Sequence, residues 1–199
     1  MVTIVDYGSG NLRSVQKAFE RLGAEARITS DPDVVGDADR LVLPGVGSFG
    51  DAMRELRSRG LVAPIVAHLE ADRPFFGICM GLQLLFETGW EGGRHEGLAA
   101  LAGDVTRFDL PAGLKVPHMG WNTAAWRSRG LGGTDVDHYY FVHSYHARPR
   151  DSDVVAAVTD YGGEFCSAVT RGRLVATQFH PEKSQAAGMR LLQAFLQPL

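Results

Sequence analysis

A single cysteine between two glycines constrains the fold of this chain more than any other feature. Residues 75–86 read FFGICMGLQLLF, which places Cys79 between Gly77 and Gly81 where a short apolar segment meets a helical pattern. A sharp strand-to-helix turn needs residues without a Cβ near its apex, and it lifts the apical side chain out of the sheet. The run therefore predicts a nucleophile elbow, followed by an amphipathic helix whose positive end favours the thiolate. The alternative, a merely packed cysteine, does not need these glycines.

Apolar segments alternate with helical patterns through the first half of the chain. Strands are predicted at residues 2–6, 24–29, 40–43 and 74–78. Helices are predicted at residues 11–22, 51–59 and 61–71 and directly after Cys79. Such alternation is typical of a mostly parallel, open sheet that helices cover on both faces, so we expect an α/β fold.

The second half of the chain is richer in short β segments. Strands are predicted there at residues 139–142, 154–159, 165–170 and 174–179, and a last helix at 185–196. Glycine-rich residues 89–103 and 127–137 are predicted as loops. These short segments predict antiparallel hairpins added to the parallel sheet.

Length and charge narrow the classes of function. At 199 residues the chain can bury one ordinary core and is short for two enzyme domains, so we expect a single domain at residues 1–199. A formal net charge of −3 gives no support to nucleic-acid binding and favours a small substrate. Two distant cysteines, no signal peptide and no bilayer-length apolar run predict a reduced, cytoplasmic protein.

A second polar segment, TQFHPEKS at residues 177–184, follows the last predicted strand. In extended backbone, residues two apart point to the same side, so His180 and Glu182 can stand together. If the fold brings His180 against Cys79, the three residues supply a nucleophile, a base and a carboxylate that orients the base. Without the elbow, an ordinary polar pair at a strand end would be the better interpretation.

The segment PGVG at residues 44–47 ends another predicted parallel strand, where open sheets place their active sites. Gly45 and Gly47 let the backbone around Val46 turn N–H groups toward a developing oxyanion. A phosphate-binding loop is the competing interpretation, but no Lys-Ser/Thr continuation follows. Because GSGN at residues 8–11 also lacks the third glycine of a dinucleotide fingerprint, we expect no cofactor.

Three further candidates carry weaker signals. His143 and His146 lie three apart in a predicted strand, where they would face opposite sides without a third ligand, so we expect no metal. Cys166 in its β-rich run is predicted to be a small core residue. Trp121, on an expected Gly-Trp-Asn turn, suits either a core position or an interface.

Together, GICMGLQ at residues 77–83, HPE at 180–182 and PGVG at 44–47 resemble the class I, triad-type glutamine amidotransferases over nearly the whole chain. The resemblance implies a flavodoxin-like fold. In that family the cysteine attacks the carboxamide of glutamine, releases ammonia and leaves a glutamyl thioester that water hydrolyses. The segments DYGSGNL at 6–12 and PHMGWN at 117–122 resemble, more narrowly, the glutaminase subunits of imidazole glycerol phosphate synthases.

The resemblance also implies roles for individual residues. Cys79 would be the nucleophile, His180 the general acid/base and Glu182 its orienting carboxylate. The implied oxyanion- and glutamine-binding positions are Gly45, Val46, Gly47, Met80, Gln83, Ser144 and Tyr145. The implied partner-interface positions are Asn11, Trp121 and Lys183. From the residues alone, packing roles for Gln83 and Tyr145 stay open.

A partner follows from the same resemblance, namely a (β/α)8-barrel cyclase subunit in a heterodimer. That subunit would use the ammonia to make imidazole glycerol phosphate and an aminoimidazole carboxamide ribonucleotide in histidine biosynthesis. We hypothesise that the lone glutaminase idles because the peptide around Val46 points a carbonyl into the oxyanion site. Two alternatives stay open: a glutaminase subunit of another synthase, such as pyridoxal phosphate synthase, and a stand-alone γ-glutamyl hydrolase of the same fold. Neither nucleic acid nor membrane is an expected partner.

Overall fold

The computed structural model describes residues 1–127 and 136–197, which form one mixed sheet with flanking helices. The strands are β1 (Val2–Val5), β2 (Ala26–Thr29), β3 (Arg40–Gly45), β4 (Phe75–Cys79), β5 (Phe86–Gly89), β6 (His95–Glu96), β7 (Leu101–Arg107), β8 (His118–Trp126), β9 (Val136–His143), β10 (Tyr145–Pro149), β11 (Val155–Asp160), β12 (Glu164–Arg171) and β13 (Leu174–Thr177). The helices are α1 (Leu12–Arg21), α2 (Pro32–Gly36), α3 (Phe49–Ser58), α4 (Val62–Glu70), α5 (Met80–Gln83) and α6 (Gln185–Leu196), with 3₁₀ turns at Ser152–Val154 and Pro181–Lys183.

The sheet has a parallel part and an antiparallel part. Strands β2, β1, β3, β4 and β13 are parallel neighbours in that order. Beyond β13 the order continues through β12, β10, β7, β5 and β6, where only β5 and β7 pair in parallel. A branch of β11, β8 and β9 leaves β12 with antiparallel pairing. The predicted α/β class, a parallel sheet with added antiparallel strands, is confirmed.

Helices cover both faces of the parallel part because successive strand residues face opposite sides. Leu41 and Leu43 of β3 pack with the buried residues of α3 and α4. Val42, between them, packs on the other side with the buried residues of α1 and α6. This two-sided burial explains the nearly continuous apolar runs of β1, β3 and β4.

The helix after Cys79 differs from the prediction. Helix α5 has a single turn, all four of its residues are buried, and the chain enters β5 three residues later. A Cβ on Gly81 would lie 1.8 Å from the carbonyl oxygen of Leu43, so this turn packs directly on β3. The expected amphipathic helix is therefore wrong, because the segment has no face toward solvent. One turn also aligns few peptide dipoles, which weakens the predicted helix-dipole effect on the thiol.

The strands of the second half were predicted incompletely. The segments around β9, β11, β12 and β13 and helix α6 are confirmed, whereas α2 and strands β5, β6, β7, β8 and β10 were not predicted. Residues 89–103, predicted as a loop, contain β6 and reach β7, and most of the loop predicted at 127–137 lies outside the described residues. The turn predicted at Trp121 is wrong, because Trp121 lies within β8, which pairs with β9. The apolar residues Met119 and Trp121 are exposed on this strand, so the sequence does not show the usual alternation of apolar and polar residues.

Candidate active site

Cys79 is the last residue of β4 and has the backbone torsions φ 55° and ψ −103°. A positive φ is rare for a residue with a side chain, so the elbow stores backbone strain. A Cβ on Gly77 would lie 2.8 Å from the Ala176 Cβ and from the Gly81 carbonyl oxygen. Both flanking glycines therefore permit close backbone approaches that hold the turn in place.

His180 and Glu182 form a buried pair at the end of the segment that follows β13. Their Nδ1 and Oε1 atoms are 2.8 Å apart, and the two side chains are only 2% and 1% exposed. The extended geometry expected for this pair is incomplete, since Pro181 already begins a 3₁₀ turn. The turn brings the Glu182 carboxylate back toward the imidazole of His180, two residues earlier.

The charges around His180 decide its protonation state. Burial by itself lowers the pKa of His180, but Cys79 and Glu182 outweigh that effect and raise it to about 10. The Nε2 atom of His180 is buried and has no hydrogen-bond partner among the described residues. It is therefore available to exchange a proton with a group that enters beside Cys79.

A cavity of about 310 Å³ opens beside the thiol, a size suited to a small substrate. Six of the seven predicted oxyanion- and glutamine-binding residues line it, namely Val46, Gly47, Met80, Gln83, Ser144 and Tyr145. Gly45 does not line it but pairs with Cys79 across β3 and β4. A Cβ on Gly45 would lie 2.0 Å from the Tyr7 hydroxyl, so a glycine is required there for packing.

The segment after β3 is anchored from the loop that follows β1. The hydroxyl of Ser9 donates a hydrogen bond of 2.7 Å to the carbonyl oxygen of Val46. Gly47 has a φ of 91°, a conformation that residues with a Cβ rarely adopt. The backbone around Val46 is thus held in one orientation by a side chain and a glycine.

Gln83 is fixed on the cavity wall by two hydrogen bonds. Its Nε2 donates to the carbonyl oxygen of Tyr145 and to Oε1 of Gln178, both at 3.0 Å. A primary amide has two N–H donors, so both are used and only the carbonyl oxygen remains for a ligand. Tyr145 accordingly contributes to the cavity wall through its backbone carbonyl oxygen, a role that its β propensity does not predict.

A second buried cluster, the pair of His118 and His143, lies beside the cavity on the side of β8 and β9. His118 and His143 share a hydrogen bond of 2.9 Å, and Nδ1 of His143 lies 2.8 Å from the Tyr145 carbonyl oxygen. Burial lowers the pKa of His118 to about 4 and that of His143 to about 3, so both are neutral near pH 7. His146 lies on β10, not on the strand of His143 as expected, and it stacks on Phe108.

Sequence reasoning missed Glu91, which also lines the cavity. Its Oε2 accepts a hydrogen bond of 2.8 Å from the backbone N–H of Phe49, the first residue of α3. Glu91 follows β5 in a Gly-rich segment that matches no motif, so no local signal in the sequence indicates it. Only the packing of that segment against α3 brings its carboxylate to the cavity.

The predicted interface residues occupy different positions on the surface. Trp121 is 49% exposed and meets the Tyr140 ring edge-on at 6.3 Å, while Lys183 Nζ lies 5.6 Å from the centre of the same ring. These three residues form one aromatic and cationic patch. Asn11 is exposed before α1, where its side chain accepts a hydrogen bond from the Ser14 hydroxyl.

Membrane-spanning helices and metal-binding clusters are both absent from residues 1–127 and 136–197. No helix there is long and apolar enough to cross a membrane. No cluster of three or more histidine, cysteine or acidic residues there could hold a metal ion. Cys166 is buried within β12, and burial raises its pKa to about 12.

Comparisons with known proteins agree with this geometry. The sequence model of the family "Glutamine amidotransferase class-I" matches residues 3–198. Imidazole glycerol phosphate synthase subunit HisH of Rhodopirellula baltica is 61% identical over 197 residues, which cover 98% of this chain and 96% of that protein. The subunit of the same name from Syntrophotalea carbinolica is 53% identical over 203 residues and covers 98% of both chains.

Solved structures share the fold at lower identity. A crystal structure of a glutamine amidotransferase superposes with a TM-score of 0.77 at 24% identity, covering 98% of this chain and 97% of that one. PurLQS from Thermotoga maritima gives a TM-score of 0.76 at 20% identity, covering 98% and 96%. With the family match over residues 3–198 and the identity to its relatives, the chain belongs to the class-I glutamine amidotransferase family.

Proposed function

We infer that the chain is the glutamine amidotransferase subunit of an imidazole glycerol phosphate synthase and acts in histidine biosynthesis. Relatives with that name match nearly its whole length, which argues against a pyridoxal phosphate synthase subunit or a stand-alone γ-glutamyl hydrolase. The observation that carries the chemistry is the buried group of Cys79, His180 and Glu182 beside a cavity of suitable size. We propose that residues 1–199 form one amidotransferase domain and that the protein is cytoplasmic.

The first half of the proposed reaction releases ammonia. The Cys79 thiolate attacks the carboxamide carbon of glutamine, and the C=O electrons move onto oxygen to give a tetrahedral oxyanion. Protonated His180 then gives its Nε2 proton to the departing nitrogen, so the C–N bond breaks and ammonia leaves. Glu182 holds the imidazole by its Nδ1–H and stabilises the imidazolium before that transfer.

The second half regenerates the enzyme. Neutral His180 removes a proton from water, and the resulting hydroxide adds to the carbonyl carbon of the glutamyl thioester. Collapse of that intermediate breaks the C–S bond and releases glutamate, while His180 keeps the proton and the thiolate is restored. Backbone N–H groups of Met80 and of the segment around Val46 and Gly47 would stabilise both oxyanions.

Substrate recognition would use the polar groups of the cavity wall. Glu91 offers a carboxylate, which suits the α-ammonium group of glutamine. The remaining carbonyl oxygen of Gln83 can accept a hydrogen bond from the substrate. Ser144 and Tyr145 also line the cavity, and their main-chain groups would fix the substrate's orientation.

A cyclase partner would dock on the patch of Trp121, Tyr140 and Lys183. Trp and Tyr side chains are enriched at interface hot spots, and Met119, near Trp121 on β8, is 62% exposed. We propose that the partner is a (β/α)8-barrel cyclase subunit in a heterodimer, and that Asn11 extends the same interface. Ammonia would pass to it without release to solvent.

Partner binding would also activate the glutaminase. The hydrogen bond from Ser9 to the Val46 carbonyl holds the oxyanion segment in one orientation, and we hypothesise that this orientation is the idle one. The partner and its nucleotide would shift the population to a conformation with an N–H group in the oxyanion site. A 10³-fold change in rate requires only about 4 kcal/mol.

The test is glutamate release from glutamine by the chain alone and by the chain with a barrel cyclase subunit and its nucleotide substrate. We expect strong stimulation by the partner, loss of all activity in Cys79→Ala, and full activity in Cys166→Ala. The second variant is the matched control because Cys166 is equally buried but lies within β12, outside the cavity lining. Activity without stimulation would favour another acceptor or a stand-alone hydrolase, and activity in Cys79→Ala would refute the mechanism.

A further inference from the structure

Gln178 lies behind the catalytic thiol, just before the His180–Glu182 pair in the sequence. Its side-chain Nε2 is 3.7 Å from the Cys79 Sγ, within hydrogen-bond distance of a sulfur acceptor, and the residue has no exposed surface. We propose that Gln178 is an additional catalytic residue, whose side-chain N–H stabilises the thiolate of Cys79. This inference rests on the proposed function and assigns a role that the triad does not include.

The orientation of the Gln178 amide is determined by its neighbour Gln83. Gln83 donates one N–H to the Tyr145 carbonyl oxygen, which can only accept. Its second N–H donates to Oε1 of Gln178, so the oxygen of that amide must face Gln83 and the NH₂ group must face the sulfur. The reverse orientation would place two NH₂ groups against each other and a carbonyl oxygen against a thiolate.

The Tyr145 carbonyl is in turn fixed by the neutral histidine pair. Asn122 Nδ2 lies 3.2 Å from His118 Nε2 and also donates to the Asp160 carbonyl, so His118 Nε2 accepts. His118 Nδ1 then donates to His143 Nε2, and His143 Nδ1 donates to Tyr145. The hydrogen-bond directions along this chain are therefore mutually consistent and end at the acceptor that orients Gln83.

The groups around Cys79 explain why the N–H donor of Gln178 matters for the thiolate. The thiol can donate to the Val142 carbonyl oxygen at 4.0 Å, an arrangement that favours the protonated form and becomes repulsive for a thiolate. Gln178 supplies a donor, which favours the charged form. The two contacts oppose each other, so removing the donor should shift the protonation of the thiol toward higher pH.

The other titratable groups that face Cys79 have defined states. His180 is held protonated by Cys79 and Glu182 and attracts the thiolate. Tyr7 is buried, and both burial and the charge of Cys79 raise its pKa, so it stays neutral. His143, near His180, is kept neutral by burial. Gln178 is uncharged, so replacing it by another uncharged side chain adds no new charge to these groups and acts on them only through the thiol of Cys79.

The experiment replaces the amide by an apolar side chain of similar volume, Gln178→Met. The rate of Cys79 alkylation by iodoacetamide is measured between about pH 5 and pH 10 in the heterodimer, with mass spectrometry to separate Cys79 from Cys166. Loss of one hydrogen bond to a charged group should move the midpoint of the profile upward by about one pH unit. We also expect kcat to fall about tenfold while KM changes less than about twofold.

Ser167→Ala is the matched control, since Ser167 accepts the backbone N–H of Gln178 and its own buried hydroxyl has no partner among the described residues. It should leave the alkylation profile and kcat unchanged. If Gln178→Met does not fold, Gln178→Leu and the ultraviolet absorbance of the thiolate, with Cys79→Ala as blank, give the same answer. An unshifted midpoint in a folded variant would overturn the proposal, while the stimulated glutaminase activity of the wild type would still support the proposed function.

Discussion

Two buried clusters lie beside the cavity and differ in charge: one contains the protonated His180 with Cys79 and Glu182, and the other contains the neutral pair of His118 and His143. His180 is 2% exposed, while His118 and His143 are 3% and 6% exposed. Burial lowers the pKa at all three positions, but Cys79 and Glu182 raise that of His180 to about 10. His118 and His143 contact neutral groups, among them each other, the Tyr145 carbonyl oxygen and the Phe108 ring, and burial lowers their pKa values to about 4 and 3. Burial therefore keeps His118 and His143 neutral, whereas Cys79 and Glu182 outweigh the same effect at His180.

The protonation state of each cluster suits its proposed role. A protonated His180 can give a proton to departing ammonia and can take one back from water. A neutral pair has one donor and one acceptor on each ring, which is what the hydrogen-bonded chain to Tyr145 requires. The comparison can be tested by removing the charge of Glu182 from the first cluster or the imidazole of His118 from the second.

The largest effect is expected from Glu182→Gln, which gives His180 a neutral partner like those of His118 and His143. The new amide can donate to Nδ1, which would leave the proton on Nε2 of the neutral ring and remove the base. We expect kcat for glutamine hydrolysis to fall about 10²- to 10⁴-fold and the pKa of His180 to decrease. Steady-state assays of the heterodimer and NMR titration of the imidazole measure the two effects.

The control for this substitution is Glu164→Gln, which removes an exposed carboxylate that pairs with Arg127 at 3.0 Å. Its activity should equal that of the wild type, because surface ion pairs contribute little. If Glu182→Gln retained full kcat, or if the pKa of His180 stayed near 10, the charge of Glu182 would not be what separates the two clusters.

The sequence predicted one of these clusters and not the other, for a physical reason. The elbow and the HPE run are each formed by a local turn, although the two meet only because β4 and β13 pair in parallel. The neutral cluster depends on β8, β9 and β10, and its hydrogen bonds join residues up to 25 positions apart. Strand β8 exposes the apolar Met119 and Trp121, so its sequence lacks the apolar–polar alternation that would predict a strand, and the pairing of His118 with His143 was not predictable.

The same distinction holds for the rest of the fold and the site. The sequence predicted the buried strands β1, β3 and β4 from their continuous apolar runs. It predicted helices α1, α3 and α6 from the helical spacing of their apolar residues. Helix α5 was predicted as amphipathic because periodicity cannot separate a buried turn from a surface helix. Glu91 reaches the cavity only through packing on α3, a tertiary contact that no local motif encodes.

A smaller effect is expected when pH changes, and the two clusters should change the free energy of unfolding in opposite directions. For His118 and His143 the folded pKa is below the unfolded value of about 6.5, so stability falls as pH drops from about 6.5 toward 4. For His180 the folded pKa is higher, so its contribution is complete below about 6.5 and is lost as pH rises toward 10.

The variant His118→Gln isolates the acid response. Between pH 7 and pH 5 it should lose about 1 to 2 kcal/mol less free energy of unfolding than the wild type, because one neutral ring no longer titrates. Urea unfolding at both pH values measures this difference. His138→Gln, at an exposed position of β9, should match the wild type. An acid response as large in His118→Gln as in the wild type would mean that the buried pair is not its source.

The smallest effect extends the comparison to two buried tyrosines. The Tyr139 hydroxyl accepts a hydrogen bond of 3.2 Å from Trp126 Nε1, whereas the Tyr7 hydroxyl has no partner among the described residues. Tyr139→Phe leaves a donor unpaired and should lower the free energy of unfolding by about 0.5 to 1.5 kcal/mol. Tyr7→Phe removes a desolvated hydroxyl that gains nothing in return, so stability should stay equal or rise by up to about 1 kcal/mol. Chemical denaturation of both variants compares them directly. If Tyr7→Phe lowered the free energy of unfolding as much as Tyr139→Phe, the Tyr7 hydroxyl would have to form a hydrogen bond in solution. The contrast between a partnered and an unpartnered buried hydroxyl would then be wrong.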